Sequence, residues 1–381
     1  MKQKTLQILN MIGRAAAVLL LLFLEAVFLL IMMVLDILPM QYWLILLAVM
    51  ALADVCGIIL IKSYNKTRQL AGAAVCMAVC ILLCSGSYVM AETYVSLQKI
   101  SETSGLPEEE RTAVTEEPFN VCVTGIDIWG EIDQVSRSDV NMIVTVNPQT
   151  RTVMLTSVPR DSYVILHSFG EYDKLTHSGV WGVDETVKTL EDWLDIDIDY
   201  YVRVNFSMLV DIVNAIGGID VYSDYAFKSA IHDCSYKKGW NHLNGKQALY
   251  FARERKAFKD QDQQRIKNQQ KVMKACLSKV TSSRVLLTNY TKLLDAVDDE
   301  MQTDMSQKEM TSLVKMQLAD MDKKWKIKTQ SVKGDLTMKG TYTMGMGRDL
   351  LVSIPRENSV EKVKKGIDKT YHPENYPEED K

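Results

Sequence analysis

The sequence predicts an α/β protein in which three membrane-spanning helices precede a single α/β domain. Residues 15–38, 41–61 and 70–90 are almost wholly apolar. Each stretch is about long enough to cross a hydrocarbon core of ~30 Å at 1.5 Å per residue. Beyond them, short β-branched runs alternate with segments whose apolar residues recur every three or four positions. This second region has roughly 250 residues, enough for one α/β core.

The first span is too long for the apolar region of a signal peptide, and no cleavage signal follows it. Lys2, Lys4 and Arg14 precede it, and Lys62, Lys66 and Arg68 separate the second and third spans. The loop between the first two carries no Lys or Arg. The positive-inside rule then puts the N-terminus in the cytoplasm and everything after the third span outside. The expected organisation is a cytoplasmic N-terminus (1–14), a membrane region (15–92), an acidic linker (93–118), an α/β domain (119–367) and a disordered tail (368–381). Gly72, Cys76, Cys80 and Cys84 repeat every four residues, which reads as a helix-packing face. Outside the spans Cys122, Cys234 and Cys276 permit at most one bridge, so there is no disulfide framework. Glu25 and Asp54 lie at similar depth in the membrane. They read either as functional acids or as a packing contact with at least one acid neutral.

Within the domain, Phe119 to Gly125 is the first expected strand. Met142 to Val146 and Thr152 to Val158 form a hairpin around the turn-like Asn147-Pro148-Gln149-Thr150. Tyr200 to Phe206 and Gly218 to Tyr222 are further strand candidates. Helices are expected over Asp184–Leu194, Ser207–Ile216, Gly245–Phe251, Gln261–Val280, Arg284–Asp298 and Gln307–Met321. Gly217-Gly218 ends the second, and Asn244 with Gln247 opens the third.

Charged residues recur in a fixed order along this domain: Asp127, Arg137, Asp139, Arg160, Asp161, Arg253, Arg255, Asp262 and Arg265, with Gln269 closing the series. Guanidinium groups bind phosphate oxygens through paired hydrogen bonds, and carboxylates hold divalent cations. Together they point to a pyrophosphate-metal site, and the spans point to a lipid carrier. Arg137 with Asp139 begins one hairpin strand and Arg160 with Asp161 ends the other, so the hairpin brings them to one sheet edge. Arg253 and Arg255 share a face only if the chain is extended there. Asp262, Arg265 and Gln269 stack on one helical face, although a solvated surface would show the same spacing.

Other chemistries are poorly represented. There is no Gly-x-Ser-x-Gly elbow, no Gly-x-x-x-x-Gly-Lys loop and no His-Glu-x-x-His motif. The five histidines form no ligand-spaced pair, and Gly340, Gly345 and Gly347 mark turns. A net charge of -4 gives no basic field for nucleic acid.

Several ordered motifs carry a resemblance: Thr124-Gly125-Ile126-Asp127, Ser136-Arg137-Ser138-Asp139, Asn147-Pro148 leading to Val158-Pro159-Arg160-Asp161, and Asn205-Phe206. The series continues through Val213 to Val221, Leu243 to Leu249, Ala252-Arg253-Glu254-Arg255, and Asp262 to Gln269. In these the chain resembles the LytR-CpsA-Psr family of cell-wall ligases, particularly capsule-type members with three membrane spans. The resemblance implies an extracytoplasmic α/β/α domain with a central mixed sheet and an apolar pocket for a polyprenyl chain. It implies transfer of a glycan, capsular or teichoic-acid-like, from polyprenyl pyrophosphate to peptidoglycan, in the cell membrane. By position, Asp127 and Asp139 would hold Mg²⁺ or Mn²⁺. Arg137, Arg160, Lys174, Arg253, Arg255, Arg265 and Gln269 would bind pyrophosphate. Arg160, Asp161 and Asp262 would carry catalysis, with Asp262 the candidate base. Lys174-Leu175-Thr176 departs from the family's Lys-Ile-Asn, and Asn268 stands where arginine is common. Two other readings use the same residues: a non-enzymatic regulator that binds lipid-linked glycan, and a lipid pyrophosphate hydrolase.

Overall fold

A computed structural model describes residues 2–63, 65–100, 113–126, 132, 136–230, 232–282, 285, 289–297, 300–321, 323–345 and 348–377. The chain divides into two compact units. The first contains α1 (Lys2–Leu35), α2 (Met40–Lys62) and most of α3 (Lys66–Ile100). Their apolar stretches, Ala15–Leu35, Met40–Lys62 and Lys66–Lys99, are long enough to cross a membrane. Small residues let the helices approach closely. A methyl group on Gly57 would stand 2.8 Å from Cys76 Sγ, and one on Gly72 would stand 2.8 Å from the Ile61 backbone nitrogen. Gly72 and Cys76 of the four-residue repeat thus face α2, while Cys84 is exposed. Glu25 is buried in the bundle near Asp54.

The second unit holds β1 (Phe119–Ile126), β2 (Ser138–Asn147) and β3 (Thr152–Val158). Then come β4 (Tyr163–Ile165), β5 (Tyr172–Lys174), α4 (Leu175–Ser178), a 3₁₀ turn (Gly179–Trp181) and α5 (Val183–Leu194). After β6 (Tyr200–Val204), α6 (Phe206–Ala215) and β7 (Ile219–Ser223) follow β8 (Phe227–Lys228), β9 (Ser235–Tyr236) and β10 (Gly239–Leu243). Next are α7 (Gly245–Arg253), α8 (Gln261–Val280) and β11 (Met301–Thr303). The C-terminal part adds β12 (Lys326–Ser331), β13 (Gly334–Gly340), β14 (Asp349–Pro355) and a last helix, Glu357–Tyr371.

Six strands form one mixed sheet in the order β11-β6-β1-β2-β3-β12. The hairpin β2–β3 and the pair β1–β2 are antiparallel, while β6 joins β1 and β12 joins β3 in parallel. Cys122, Ile143, Val158 and Tyr201 turn to one face and pack against Leu190 and Leu194 of α5 and Val363 and Ile367 of the last helix. Leu190 and Leu194 are fully buried, each stabilising the layer by about 1.5–3 kcal/mol. Beyond the opposite face, α6, α7 and α8 share a core of their own around Val213, Phe251, Val272 and Cys276. The layers are those of an α/β/α domain.

Local chemistry explains the helix starts. Asn205 accepts a hydrogen bond from the Met208 amide at 2.9 Å and opens α6. Asn244 and Gln247 form a full capping box on α7. Gly217 and Gly218 end α6 with φ of +74° and +80°, a region glycine occupies without strain.

The strand expected over Gly218–Tyr222 is β7, which pairs with β10 outside the main sheet, with Ile219 and Val221 in the helical core. Three features differ from the sequence expectations. α3 continues through Ile100, beyond the start of the expected linker. The tail is helical to Tyr371 and ends in a 3₁₀ turn, Pro373–Asn375, tied back by the Tyr376 hydroxyl to Asp368. Buried Val363, Ile367 and Thr370 hold it to the domain, an apolar stripe hidden among lysines. Of the helix expected over Arg284–Asp298, the described residues show Tyr290–Asp295.

Candidate active site

Register places the first charged pair. Asn141 on β2 faces Val158 on β3, so two residues further toward the same edge Asp139 stands opposite Arg160. There the Arg160 Nη1 donates to Asp139 Oδ1 at 2.7 Å. Asp161 lies 3.8 Å from Arg160 Nε and accepts from Lys174 Nζ at 2.9 Å. Thr176 donates its amide to the Arg160 carbonyl at 2.8 Å, and its hydroxyl lies 3.5 Å from Asp139 Oδ1. Thr176, where the resemblance implies asparagine, thus reaches the site carboxylate.

The second group comes from the turn between α7 and α8. Arg253 is the last helical residue, two beyond the expected end, and its guanidinium lies over the Phe206 ring at 4.1 Å. Glu254 takes an extended conformation, which lets Arg253 and Arg255 line the same cavity. Glu254 is itself buried. Its carboxylate accepts from Ser229 Oγ at 2.6 Å and from the amides of Ala230, Arg255 and Ala257 at 2.8, 3.0 and 3.1 Å. These donors hold its pKa below the usual glutamate value against the opposing effect of burial. On α8, Asp262 lies 3.4 Å from Arg265 Nη2 and 3.8 Å from Arg255 Nη1. Asn268 donates to the Phe251 carbonyl at 3.1 Å and accepts from Gln264, fixing α8 against α7.

The two groups meet around a cavity of about 420 Å³. Asp139, Arg160, Arg253, Arg255, Arg265 and Gln269 contribute to its wall. The remainder is largely apolar: Val123, Met142 and Val204 from the sheet face Leu209, Ile212, Leu249, Met273 and Cys276 from the helices. An open space therefore stands where sheet and helix layer would otherwise close a core. A larger cavity of about 730 Å³, lined by Tyr163, Tyr172, His167 and Trp193, contains none of these arginines. The smaller cavity has the charge chemistry.

Burial works against the Arg160 cation, but Asp139 and then Asp161 and Asp262 outweigh it and raise its pKa. Burial pushes the Arg265 pKa down, only partly opposed by Asp262, and the Arg160 cation adds to the fall. Among the described residues, the buried Nε atoms of Arg160 and Arg265 find no hydrogen-bond acceptor. Buried donors of this kind call for an anion.

Most of the sequence-predicted residues converge here. Asp161, Lys174 and Asp262 are absent from the cavity wall and are joined to it by the ion pairs given above. Arg137 is exposed at the start of β2 and does not line the cavity. Asp127 lies outside the described residues. His177 is buried against Asp173 at 2.6 Å, a structural role. Glu254, Thr176 and Phe206 were not singled out as site residues. A carboxylate between two arginines at a helix end was the available signal for Glu254.

No group of three or more His, Cys, Asp or Glu able to hold a metal occurs among the described residues. Asp139 supplies one carboxylate beside the cavity. Mg²⁺ is commonly held by one or two carboxylates with substrate phosphates completing the shell, so the donor chemistry fits that ion only with phosphate present.

The polyisoprenyl-teichoic acid–peptidoglycan teichoic acid transferase TagU of Bacillus cereus (strain AH820) is 34% identical over 232 residues, 61% of this chain and 74% of that protein. The crystal structure of B. subtilis TagV is 30% identical with a TM-score of 0.55, covering 67% of this chain and 98% of that one. TagT bound to LI-WTA is 27% identical with a TM-score of 0.54, covering 69% and 94%. The LytR_cpsA_psr family model matches residues 87–360. With that match spanning most of its length and the arginine-aspartate cluster falling inside it, the chain belongs to the LytR_cpsA_psr family.

Proposed function

We propose that the protein is a membrane-anchored glycopolymer ligase that moves a teichoic-acid-like or capsular glycan from polyprenyl pyrophosphate to peptidoglycan. The observation that carries this is the joining of four guanidinium groups, from Arg160, Arg253, Arg255 and Arg265, to a cavity with largely apolar walls. A pyrophosphate needs the first and a polyprenyl tail needs the second. The names of the relatives support the same substrate class.

In this mechanism an acceptor hydroxyl of peptidoglycan attacks the glycan-bearing phosphorus. A new P–O bond forms, the bond to the bridging oxygen breaks, and polyprenyl phosphate leaves with the electron pair. The hydroxyl proton passes to a carboxylate. Asp262 is the better base, because Asp161 is engaged by Lys174 at 2.9 Å. Arg160 and Arg265 stabilise the charge that develops on the phosphoryl oxygens. Mg²⁺ or Mn²⁺ at Asp139, with Asp127, would supply further charge neutralisation when bound. Arg137, outside the cavity wall, would meet phosphate oxygens from solvent. The three spans hold the domain at the outer face of the cell membrane, with the N-terminus in the cytoplasm.

The test uses full-length protein, lipid-linked glycan and peptidoglycan fragments. A joined product with equimolar polyprenyl phosphate is expected. Arg160→Ala should lower the rate about 10²–10³-fold, as loss of one charge-stabilising donor does, with unchanged circular dichroism. Release without joining would identify a hydrolase, and binding without release a regulator.

A further inference from the structure

We infer that an exposed aromatic platform formed by Phe169, Trp181 and Tyr342 is the binding subsite for the acceptor glycan strand. This inference rests on the ligase reading and adds the place where the second substrate sits.

The three rings come from three separate segments: the β4–β5 turn, the 3₁₀ turn after α4, and the 3₁₀ turn between β13 and β14. The Phe169 ring lies 4.8 Å from Trp181 and 4.9 Å from Tyr342 between centroids. They are not a core: Trp181 is 51% exposed and Tyr342 45%. Keeping large rings assembled in water has a hydration cost that folding alone does not explain. Glycines shape the surface. Gly170, Gly182 and Gly345 close the three turns with φ of +65°, +109° and +69°, and a methyl group on any of them would meet open space. Flat, partly exposed rings bordered by turns suit the C–H face of a pyranose ring, whose hydroxyls remain in water.

The platform is fastened to the proposed reaction centre at two points. A methyl group on Gly179 would come within 2.7 Å of the Ser138 amide and 2.8 Å of the Ser136 carbonyl, so the turn bearing Trp181 lies directly on the Arg137 segment. Buried Asp173 accepts from the Thr343 amide at 2.8 Å and from the Thr343 hydroxyl, beside Tyr342. The next residue, Lys174, reaches Asp161.

Position selects the acceptor over the donor. The cavity opens on the sheet face of Val123 and Met142. The elements that carry Phe169 and Trp181 pack on the other face, through Val164, Leu175 and Leu190. With the polyprenyl phosphate in the cavity, an acceptor held on the platform reaches the arginine edge from outside the lipid pocket.

The test uses the full-length protein, its Trp181→Ala, Tyr342→Ala and Trp181→Phe variants, and soluble peptide-free strands of alternating N-acetylglucosamine and N-acetylmuramic acid. Direct calorimetric binding of strands is measured without donor, then ligation with lipid-linked glycan. Each alanine variant should weaken strand binding and raise the acceptor KM about tenfold, a typical stacking contribution. Donor KM and the kcat at saturating acceptor should stay unchanged, and Trp181→Phe should restore most of the binding. Unchanged strand affinity in both alanine variants, no strand binding by the wild type, or a rise in donor KM instead would each overturn the subsite. Absence of joined product from the wild type, with strand binding still dependent on Trp181, would reject the ligase reading and leave the subsite standing.

Discussion

Arg160 and Arg265 show how the same side chain acquires two different energies within one site. Burial disfavours the charge on both. Arg160 has Asp139 at 2.7 Å and more than recovers that cost, whereas Arg265 has Asp262 only at 3.4 Å and Arg160 as a like-charged neighbour. Arg265 is therefore a poorly compensated cation that an anion bound in the cavity would relieve. Replacing Arg265 by Met should leave the ligand-free protein at least as stable as the wild type, because Asp262 is 42% exposed and keeps Arg255 at 3.8 Å. The same change should abolish stabilisation by a prenyl pyrophosphate, which in the wild type would reach about 2.7 kcal/mol at a hundredfold excess over Kd. Thermal melts with and without ligand read both effects, and a ligand-induced shift that survives in the variant would remove Arg265 from the binding set. Spacing on α8 puts this residue on one face with Asp262 and Gln269, but it did not tell a site from a solvated surface. It did not identify the imbalance, because that depends on distances between α8 and the β2–β3 edge.

At the scale of elements, local chemistry was the legible part. The hairpin, the Asn244–Gln247 box and the glycine stop of α6 all follow from residues a few positions apart. Elements held by remote partners were not legible. β12 reads as Lys-Ile-Lys-Thr-Gln-Ser, with too few apolar positions to announce a strand, and is fixed by parallel pairing with β3. The turn after α7 is a similar case. Its extended shape depends on Glu254 being anchored by Ser229 and Ala230, more than twenty residues earlier. Because the folded carboxyl has a lowered pKa, its stabilisation is fully present above the ordinary glutamate pKa of about 4.3 and is lost as pH falls through the folded value. Glu254→Gln keeps the size but replaces one acceptor oxygen by a donor. It should cost about 1–3 kcal/mol at pH 7, with the difference from wild type shrinking as pH drops below about 4.3. It should also weaken pyrophosphate binding, since Arg253 and Arg255 flank it. Denaturation across pH checks the first effect and titration with pyrophosphate the second. Equal stability of the two proteins at pH 7 would refute the anchoring role.

For the whole molecule, the membrane helices and the apolar cavity pose one energetic question: which part of the substrate supplies affinity. A lipid tail leaving a bilayer for a pocket of aliphatic side chains exchanges one apolar environment for another, so its net transfer energy is small. For a membrane-borne donor the affinity must then come from the guanidinium cluster. A soluble short-chain pyrophosphate leaves water instead and gains about 0.8 kcal/mol per buried methylene. Two results should follow. With soluble prenyl pyrophosphates, affinity should climb with chain length until the cavity of about 420 Å³ is filled, and then level off. With the same head group on long chains in vesicles, affinity should be nearly independent of length and fall steeply with salt, as charge-dominated binding does. A steep length dependence in vesicles would mean that the tail, and not the head group, is what the protein recognises. Recognition of a membrane-borne donor also requires the domain to stand where lipid-linked glycan is presented. Asp233, whose side chain is 95% exposed, gives the check. In intact cells a membrane-impermeant maleimide should label an Asp233→Cys variant well above wild type. Labelling only after lysis would put the arginine cluster on the cytoplasmic side, out of reach of any peptidoglycan acceptor.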